Sequence, residues 1–247
     1  MKYLLKSVSL ALLLSISSLL NAQSEAGSVF LLISPGARAG GMGEAQVAVA
    51  NDAYASYWNP AGLAYQEGSE LAFMHVNWLP NLADDMYYEF LGYRKSFPNL
   101  GTIGGHLIYL NLGEQVRMDE YAQYQGKFTS YMMAGAISYS QKINETSSFG
   151  LNAKLSYQHL VELGTGSEKG KGTSIDFGFD VGYMKKSWLL PALDLGITMT
   201  NIGPKVSFID PDQADPQPTN LTFGFAYELF NSEVNRLSVV YDRDKLL

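Results

Sequence analysis

Cysteine is absent from the 247 residues. That excludes disulfides, cysteine-ligated zinc, iron–sulfur clusters, a catalytic thiol and a lipid-modified cysteine at a mature N-terminus. Charge is also scarce. Asp, Glu, Lys and Arg make up 17% of the chain, against about 25% in an average soluble domain. The 17 basic residues are outnumbered by 24 acidic ones. A nucleic-acid binder needs a basic face, so the balance excludes that class. Beyond the first 22 residues no apolar run reaches the roughly 18 residues of a membrane-spanning helix.

What is present is apolar and glycine-rich: 47% hydrophobic residues, 24 Gly and 16 Tyr. Residues 1–22 read as a secretory signal peptide. Lys2 and Lys6 form a positive start, Leu10 to Leu20 an apolar run broken only by serines, and Ala22 a small residue for cleavage. The apolar run is short for a transmembrane anchor. The chain is therefore exported, and the mature part loses two lysines.

The body alternates with period two. On 149–161, Phe149, Leu151, Ala153, Leu155, Tyr157 and Val161 fall opposite Asn152, Lys154, Ser156 and Gln158. The same pattern recurs on 174–183, 193–200 and 221–229, and more weakly on 70–78, 86–97, 102–110, 131–143 and 236–242. This is strand periodicity, and it predicts about nine strands. Several run about 9–13 residues, longer than the 5–6 of a soluble sheet and suited to tilted membrane strands. One face is rich in Gly, Ser, Thr and Asp, the other in Leu and aromatics. Tyr109, Tyr131, Tyr157, Tyr183 and Tyr227 lie near strand ends, where an apolar ring with a polar tip suits the headgroup level.

Longer connections (79–85, 111–130, 162–173, 201–219) alternate with shorter ones (98–101, 144–147, 186–192, 230–235). Outer-membrane barrels alternate long outer loops with short periplasmic turns. The expected fold is an all-β transmembrane antiparallel β-barrel, with the long loops outside and 70–247 as its strands. An odd strand count and an open edge at the last strand predict that further C-terminal strands complete it.

Residues 23–69 do not read as strand. Asn59 before Pro60 is a helix start, an N-cap acceptor followed by a residue preset for the first helical position. A second short helix is expected within 44–55. Glycines 40, 41 and 43 are expected to turn the chain tightly. Apolar content of this kind calls for burial, and the segment is expected to plug the barrel.

The run Leu31-Leu32-Ile33-Ser34-Pro35-Gly36-Ala37-Arg38-Ala39-Gly40-Gly41-Met42-Gly43-Glu44-Ala45, then Asp52-Ala53 and Trp58-Asn59-Pro60-Ala61-Gly62-Leu63, resembles the start of the PorV/PorQ family of outer-membrane proteins. The Asn-Pro-Ala element is similar to the N-terminal hatch of FadL-like transporters. Thr173 to Gly178, Thr200-Asn201-Ile202-Gly203-Pro204-Lys205 and Tyr241-Asp242-Arg243-Asp244-Lys245-Leu246-Leu247 are also similar to PorV. The resemblance implies a FadL-like barrel of fourteen strands, of which about nine lie here. It implies a plug motif at Arg38, Gly40, Gly41, Gly43, Trp58, Asn59, Pro60, Ala61 and Gly62. It implies an outer-membrane role in type IX secretion: binding or shuttling cargo proteins that carry a C-terminal signal domain, with translocon or attachment-complex proteins and outer-membrane lipid as further partners. The alternative is a FadL-like transporter of hydrophobic small molecules.

Chemical motifs fail. Gly41-Met42-Gly43 lacks the third glycine of a dinucleotide loop, and Gly170-Lys171 is followed by Gly172 where a phosphate loop needs Ser or Thr. Gly172-Thr173-Ser174-Ile175-Asp176 lacks the last glycine of a nucleophile elbow. His75, His106 and His159 fall on separate strands. Asp84-Asp85 is a carboxylate pair without a nearby histidine. No catalytic residue, cofactor or metal site is expected, and the chain is not expected to be an enzyme. Cargo contacts are expected in the outer loops, at Tyr121, Tyr124 and Phe128 in one and Asp210 and Asp212 in another.

Overall fold

The computed structural model describes residues 26–119, 121–161, 172–208 and 211–247. The predicted signal peptide and most of the loop after residue 161 lie outside them. Nine strands form one antiparallel sheet in chain order: β1 Ser69–Asn77, β2 Tyr87–Phe97, β3 Gly101–Met118, β4 Tyr124–Asn144, β5 Ser147–Val161, β6 Gly172–Lys185, β7 Leu193–Ile202, β8 Asn220–Asn231 and β9 Arg236–Leu246. Each pairs with its sequence neighbour, so the order follows from hairpin connections alone. Every expected strand is present.

Burial on the sheet is inverted relative to a water-soluble protein. Along β5 and β6 the polar side chains are covered: Ser148 and Asp180 are 0% exposed and Asn152 is 2%. Their apolar neighbours face out, with Ile175 at 71% and, on β4, Ile137 at 72%. A contiguous apolar face of this extent marks an interaction with lipid or protein. Among the described residues no helix is long and apolar enough to cross a membrane.

Aromatics punctuate the apolar face. Tyr87, Tyr109, Tyr131 and Tyr157 run across β2–β5 with successive ring centroids 5.9, 5.9 and 6.0 Å apart. His75 and His159 extend the ladder, against Tyr87 and Tyr131. Toward the other strand ends the same face carries Tyr139 and Phe149, with Tyr183 on β6. From Tyr131 to Tyr139 the strand covers about 26 Å at 3.3 Å per residue.

The polar face is covered by residues 26–66. These form a 3-10 turn Val29–Leu32, helix α1 Ala37–Gly41, helix α2 Ala55–Trp58 and a 3-10 helix Pro60–Tyr65. The last packs across β3 to β6. The strands admit it because their inward positions are stripped of side chains where it passes. A Cβ on Gly150 would run into the backbone of Pro60 and Ala61, one on Gly182 into the Asn59 side chain, and one on Gly196 into the backbone of Val47. Apolar residues complete the contact: Phe30, Leu31, Tyr88, Phe90 and Ile108 form one buried cluster, and Ala50, Trp58, Ala61, Leu63 and Met184 another.

Three expectations need correction. No helix forms over 44–55. Glu44 takes a left-handed φ of 66°, and the backbone of Gln46 and Val47 is bonded elsewhere, to Asp242 and Asn59. Of the glycine cluster only Gly43 needs its freedom, at φ 64°; Gly40 and Gly41 are helical, and nothing lies within 4 Å of a Cβ at any of the three.

The third correction concerns the long loop at 111–130. It is instead a ribbon. β3 and β4 stay paired out to Met118 and Tyr124, past their last partners on β2 and β5, Tyr87 and His159. A register shift between Asn111 and Glu114 breaks the alternation, which is why the sequence pattern ends there. Lys127 and Glu114 bridge the ribbon at 2.5 Å. At its tip Asp119 accepts the N–H groups of Gln123 and Tyr121 at 2.8 and 3.0 Å, and these bonds hold its carboxyl below the usual carboxylate range. The 201–219 connection is not a free loop either. Val206 and Asp215 form a bridge, Pro216 accepts from Gly27 N–H at 2.9 Å, and Gln217 donates to Phe177 O at 2.8 Å.

The glycine contacts predict that Gly150→Ala destabilises by about 1–3 kcal/mol, because backbone opposes the new methyl. Gly40→Ala, with open space around it, changes stability by less than about 0.5 kcal/mol or raises it slightly. Urea midpoints of the two variants against the parent protein measure both.

Candidate functional site

The site is the seam between the N-terminal segment and the polar face of the sheet. Asn59 stands at its centre. Its backbone is extended, at φ −158°, and its side-chain oxygen accepts from Ala61 N–H at 3.1 Å, which caps the Pro60–Tyr65 helix. This is the N-cap geometry that Asn-Pro specifies. Its amide then donates to two carbonyls, Val47 at 2.8 Å and Tyr183 on β6 at 3.2 Å. One buried side chain so joins the helix start, a second part of the segment and the sheet.

The strands supply matching side chains. Ala61 O accepts from Ser148 at 2.8 Å and Ser140 at 3.2 Å. Asn152 donates to Ser56 O at 2.7 Å, and Gln158 donates to Ser28 Oγ at 2.6 Å. On β9, Asp242 accepts both Gln46 and Val47 N–H at 2.8 Å. Trp58 donates its indole N–H to Pro35 O at 3.0 Å. Irregular backbone carries unpaired donors and acceptors, and here the short polar residues of the sheet satisfy them.

A buried ion pair lies beneath. Lys154 on β5 donates to Asp180 on β6 at 3.0 Å and to Asn201 at 2.7 Å. Asp180 also accepts from Asn152 at 2.7 Å and from Asn201 N–H at 2.8 Å. The period-two pattern placed Lys154 and Asp180 on one face; only the pairing of adjacent strands brings them together.

The residues singled out in the sequence separate into groups. Trp58, Asn59, Pro60, Ala61 and Gly62 are all buried at the seam, and a Cβ on Gly62 would strike Ala50 O. Arg38 pairs with an acid of its own segment, Asp52 at 3.2 Å, and with Asn51 at 2.5 Å. Burial pushes the Asp52 carboxyl up, while Arg38 pulls it down. Tyr121 and Tyr124 stand exposed at the ribbon tip; Phe128 is a half-buried strand residue of β4. Asp212 lies in a 3-10 turn, Pro211–Gln213, and Asp210 lies outside the described residues. Asp85 serves the ribbon, accepting Glu114 N–H at 2.7 Å. The nucleophile-like run 172–176 is strand β6, and Gly170-Lys171 lies outside the described residues. Among the described residues no group of His, Asp and Glu is arranged to hold a metal ion.

A cavity of about 310 Å³ opens between the segment and β7–β9. Tyr57, Trp58, Leu31 and Leu32 form one wall, and Glu44, Asp242, Asp244 and Lys154 contribute charge. Sequence reading missed it, because its parts come from the N-terminal segment and four different strands.

Two variants test the seam. Asn59→Ala removes the cap and leaves two buried carbonyls without their donor, which costs about 2–4 kcal/mol; limited proteolysis reports it as faster cleavage within residues 26–66. Lys154→Met leaves Asp180 as an uncompensated buried charge and costs about 3–5 kcal/mol. Adding Asp180→Asn to Lys154→Met restores part of that loss, read from the same urea midpoints.

A search among curated proteins returns no match. The family model described as type IX secretion system protein PorV matches residues 21–247, a span that takes in the capped Asn-Pro element, the glycine-lined strands and the buried ion pair. The chain thus belongs to the PorV family of type IX secretion system proteins.

Proposed function

We propose that this protein is an outer-membrane β-barrel component of type IX secretion, without catalytic activity, that binds or shuttles cargo proteins carrying a C-terminal signal domain to a surface attachment complex. The observation that carries the membrane part is the inverted sheet: polar residues sealed under the N-terminal segment, and leucine, isoleucine and aromatic residues facing out. The Tyr131 and Tyr139 levels lie about 26 Å apart along the strand, which at a tilt of about 40° leaves about 20 Å between them along the membrane normal, a separation of the order of the apolar band between aromatic girdles. In this reading residues 26–66 are the plug.

The β3–β4 ribbon supports the cargo part. It rises beyond the tyrosine ladder and exposes Val116, Met118, Tyr121 and Tyr124 on a scaffold held by the Glu114–Lys127 bridge and the Asp119 tip. Aromatic and Met side chains on a preordered element suit a protein contact. The hydrophobic-transporter alternative gains less support, since the cavity beside the plug is rimmed by carboxylates.

Deleting 118–126 tests the proposal, since it trims the ribbon tip and leaves the seam untouched. Surface display of a signal-domain cargo is expected to fall about tenfold, the loss of a few hot-spot contacts, with the protein still inserted in the outer membrane. Undiminished display, together with uptake of a hydrophobic compound that depends on the plug, overturns the reading in favour of transport.

A further inference from the structure

We propose that the cavity between the N-terminal segment and β7–β9 binds an organic cation: a guanidinium or primary ammonium group on a short apolar stem.

The carboxylates at its rim are only half used. Glu44 Oε2 accepts from Ser34 at 3.0 Å, and its other oxygen carries no contact. Asp244 Oδ1 accepts from Thr222 at 2.5 Å and Asn220 at 3.1 Å, and its Oδ2 carries none. Asp242 spends Oδ2 on the N–H groups of Gln46 and Val47, so it adds charge and anchors the wall rather than offering that oxygen to a guest. The one cation lining the cavity, Lys154, is neutralised by Asp180 at 3.0 Å. The cavity is therefore left negative.

A second observation is independent of the acids. Thr198 lines the cavity, is 2% exposed and makes no side-chain hydrogen bond. Its hydroxyl opens onto the cavity from the inward face of β7, two residues beyond the Gly196 that meets the segment's backbone. A guest that reaches the floor gives it a donor or acceptor. Opposite, Leu31, Leu32 and the Trp58 ring form an apolar wall, which suits a methylene stem and the face-on approach of a cation to an aromatic ring. A carboxylate guest meets like charge at the rim. A hydrophobic guest leaves Thr198 and both free carboxylate oxygens dehydrated.

The test is calorimetric titration of the purified protein in detergent with arginine amide and, as its neutral isostere, citrulline amide, both acetylated at the α-amine so that the guanidinium is the one charge that differs, and with the blocked tripeptide acetyl-Gly-Arg-Gly-amide. Arginine amide is expected to bind saturably and citrulline amide at least about tenfold more weakly, the difference made by one charge-assisted hydrogen bond. Glu44→Gln and Asp244→Asn, both at exposed positions, are each expected to weaken arginine amide about tenfold. Should either variant fold poorly by thermal melting, the isosteric Thr198→Val is read instead, with an expected loss of about threefold. Tight binding of the tripeptide identifies the guest as a polypeptide side chain. Binding of arginine amide alone identifies a free small amine. Equal binding of the arginine and citrulline amides, or affinity unchanged in both carboxylate variants, overturns the proposal.

Discussion

The structure depends on one constraint: the polar face of a nine-stranded sheet is buried, and every polar group on it needs a partner. Water supplies those partners in most proteins. Here residues 26–66 supply many of them, although Ser138 Oγ, His106 Nε2 and Asn152 Oδ1 stay unpaired. Ser140, Ser148, Asn152, Gln158 and Asp242 bond to carbonyls, N–H groups or side chains of a segment with little regular structure of its own, and Asn59 of that segment donates back to Tyr183 on the sheet. The dependence runs both ways. The turns and short helices of the segment satisfy part of its backbone internally and the sheet satisfies more of it, while the sheet tolerates serines and asparagines at 0–2% exposure because the segment is there. Neither half is a stable object alone, since each exposes to the other groups that cost about 1–3 kcal/mol apiece when left unpaired.

Glycine sets how close the two approach. Gly150, Gly182 and Gly196 lie inward on three consecutive strands, and the segment occupies the volume their side chains vacate, with its backbone at Gly150 and Gly196 and with the Asn59 and Pro60 side chains at Gly182. That proximity is what brings Ala61 O within reach of short serine side chains. Longer inward residues hold the segment away and strand the same groups. The Lys154–Asp180 pair links β5, β6 and the Asn201 corner beneath the segment. Its value lies in position rather than net energy. A buried ion pair repays its own desolvation only when its remaining donors and acceptors are met, and Asn152 and Asn201 meet them. The pair fixes how β7 turns into the connection that folds back over Gly27.

The outward face follows the opposite rule. Among the described residues nothing covers Leu71, Ile137 or Ile175, and the ladder of tyrosines marks where that uncovered surface ends. Beyond it the β3–β4 ribbon stands with partners on neither flank in the pairing of β2 and β5. A two-stranded ribbon is marginal by itself, so its own cross-links at Glu114–Lys127, Asp85 and Asp119 account for its order. On the proposed reading the same chain presents lipid-facing, lumen-facing and partner-facing surfaces at three levels of one sheet.

Period-two alternation determined the strands, their number and their order, because side-chain direction in a strand is fixed by parity and hairpin connections leave one topology. Asn59-Pro60 determined a helix start, because capping is a local interaction. The family resemblance, too, rested on short contiguous runs. Other features were not legible. The bulge after Asn111 hid the ribbon, since one extra residue reverses parity and the alternation stops looking like a strand. Helix at 44–55 was expected from composition and lost to the left-handed backbone at Glu44 and to Asn59, whose amide takes the Val47 carbonyl that a helix would bond internally. The pairing of Lys154 with Asp180, the glycine bed under Pro60 and the acid-rimmed cavity all join residues from different strands. Sequence alone specified which face each of these residues occupies. Only the register between strands, and the path of the N-terminal segment across them, decided which of them meet.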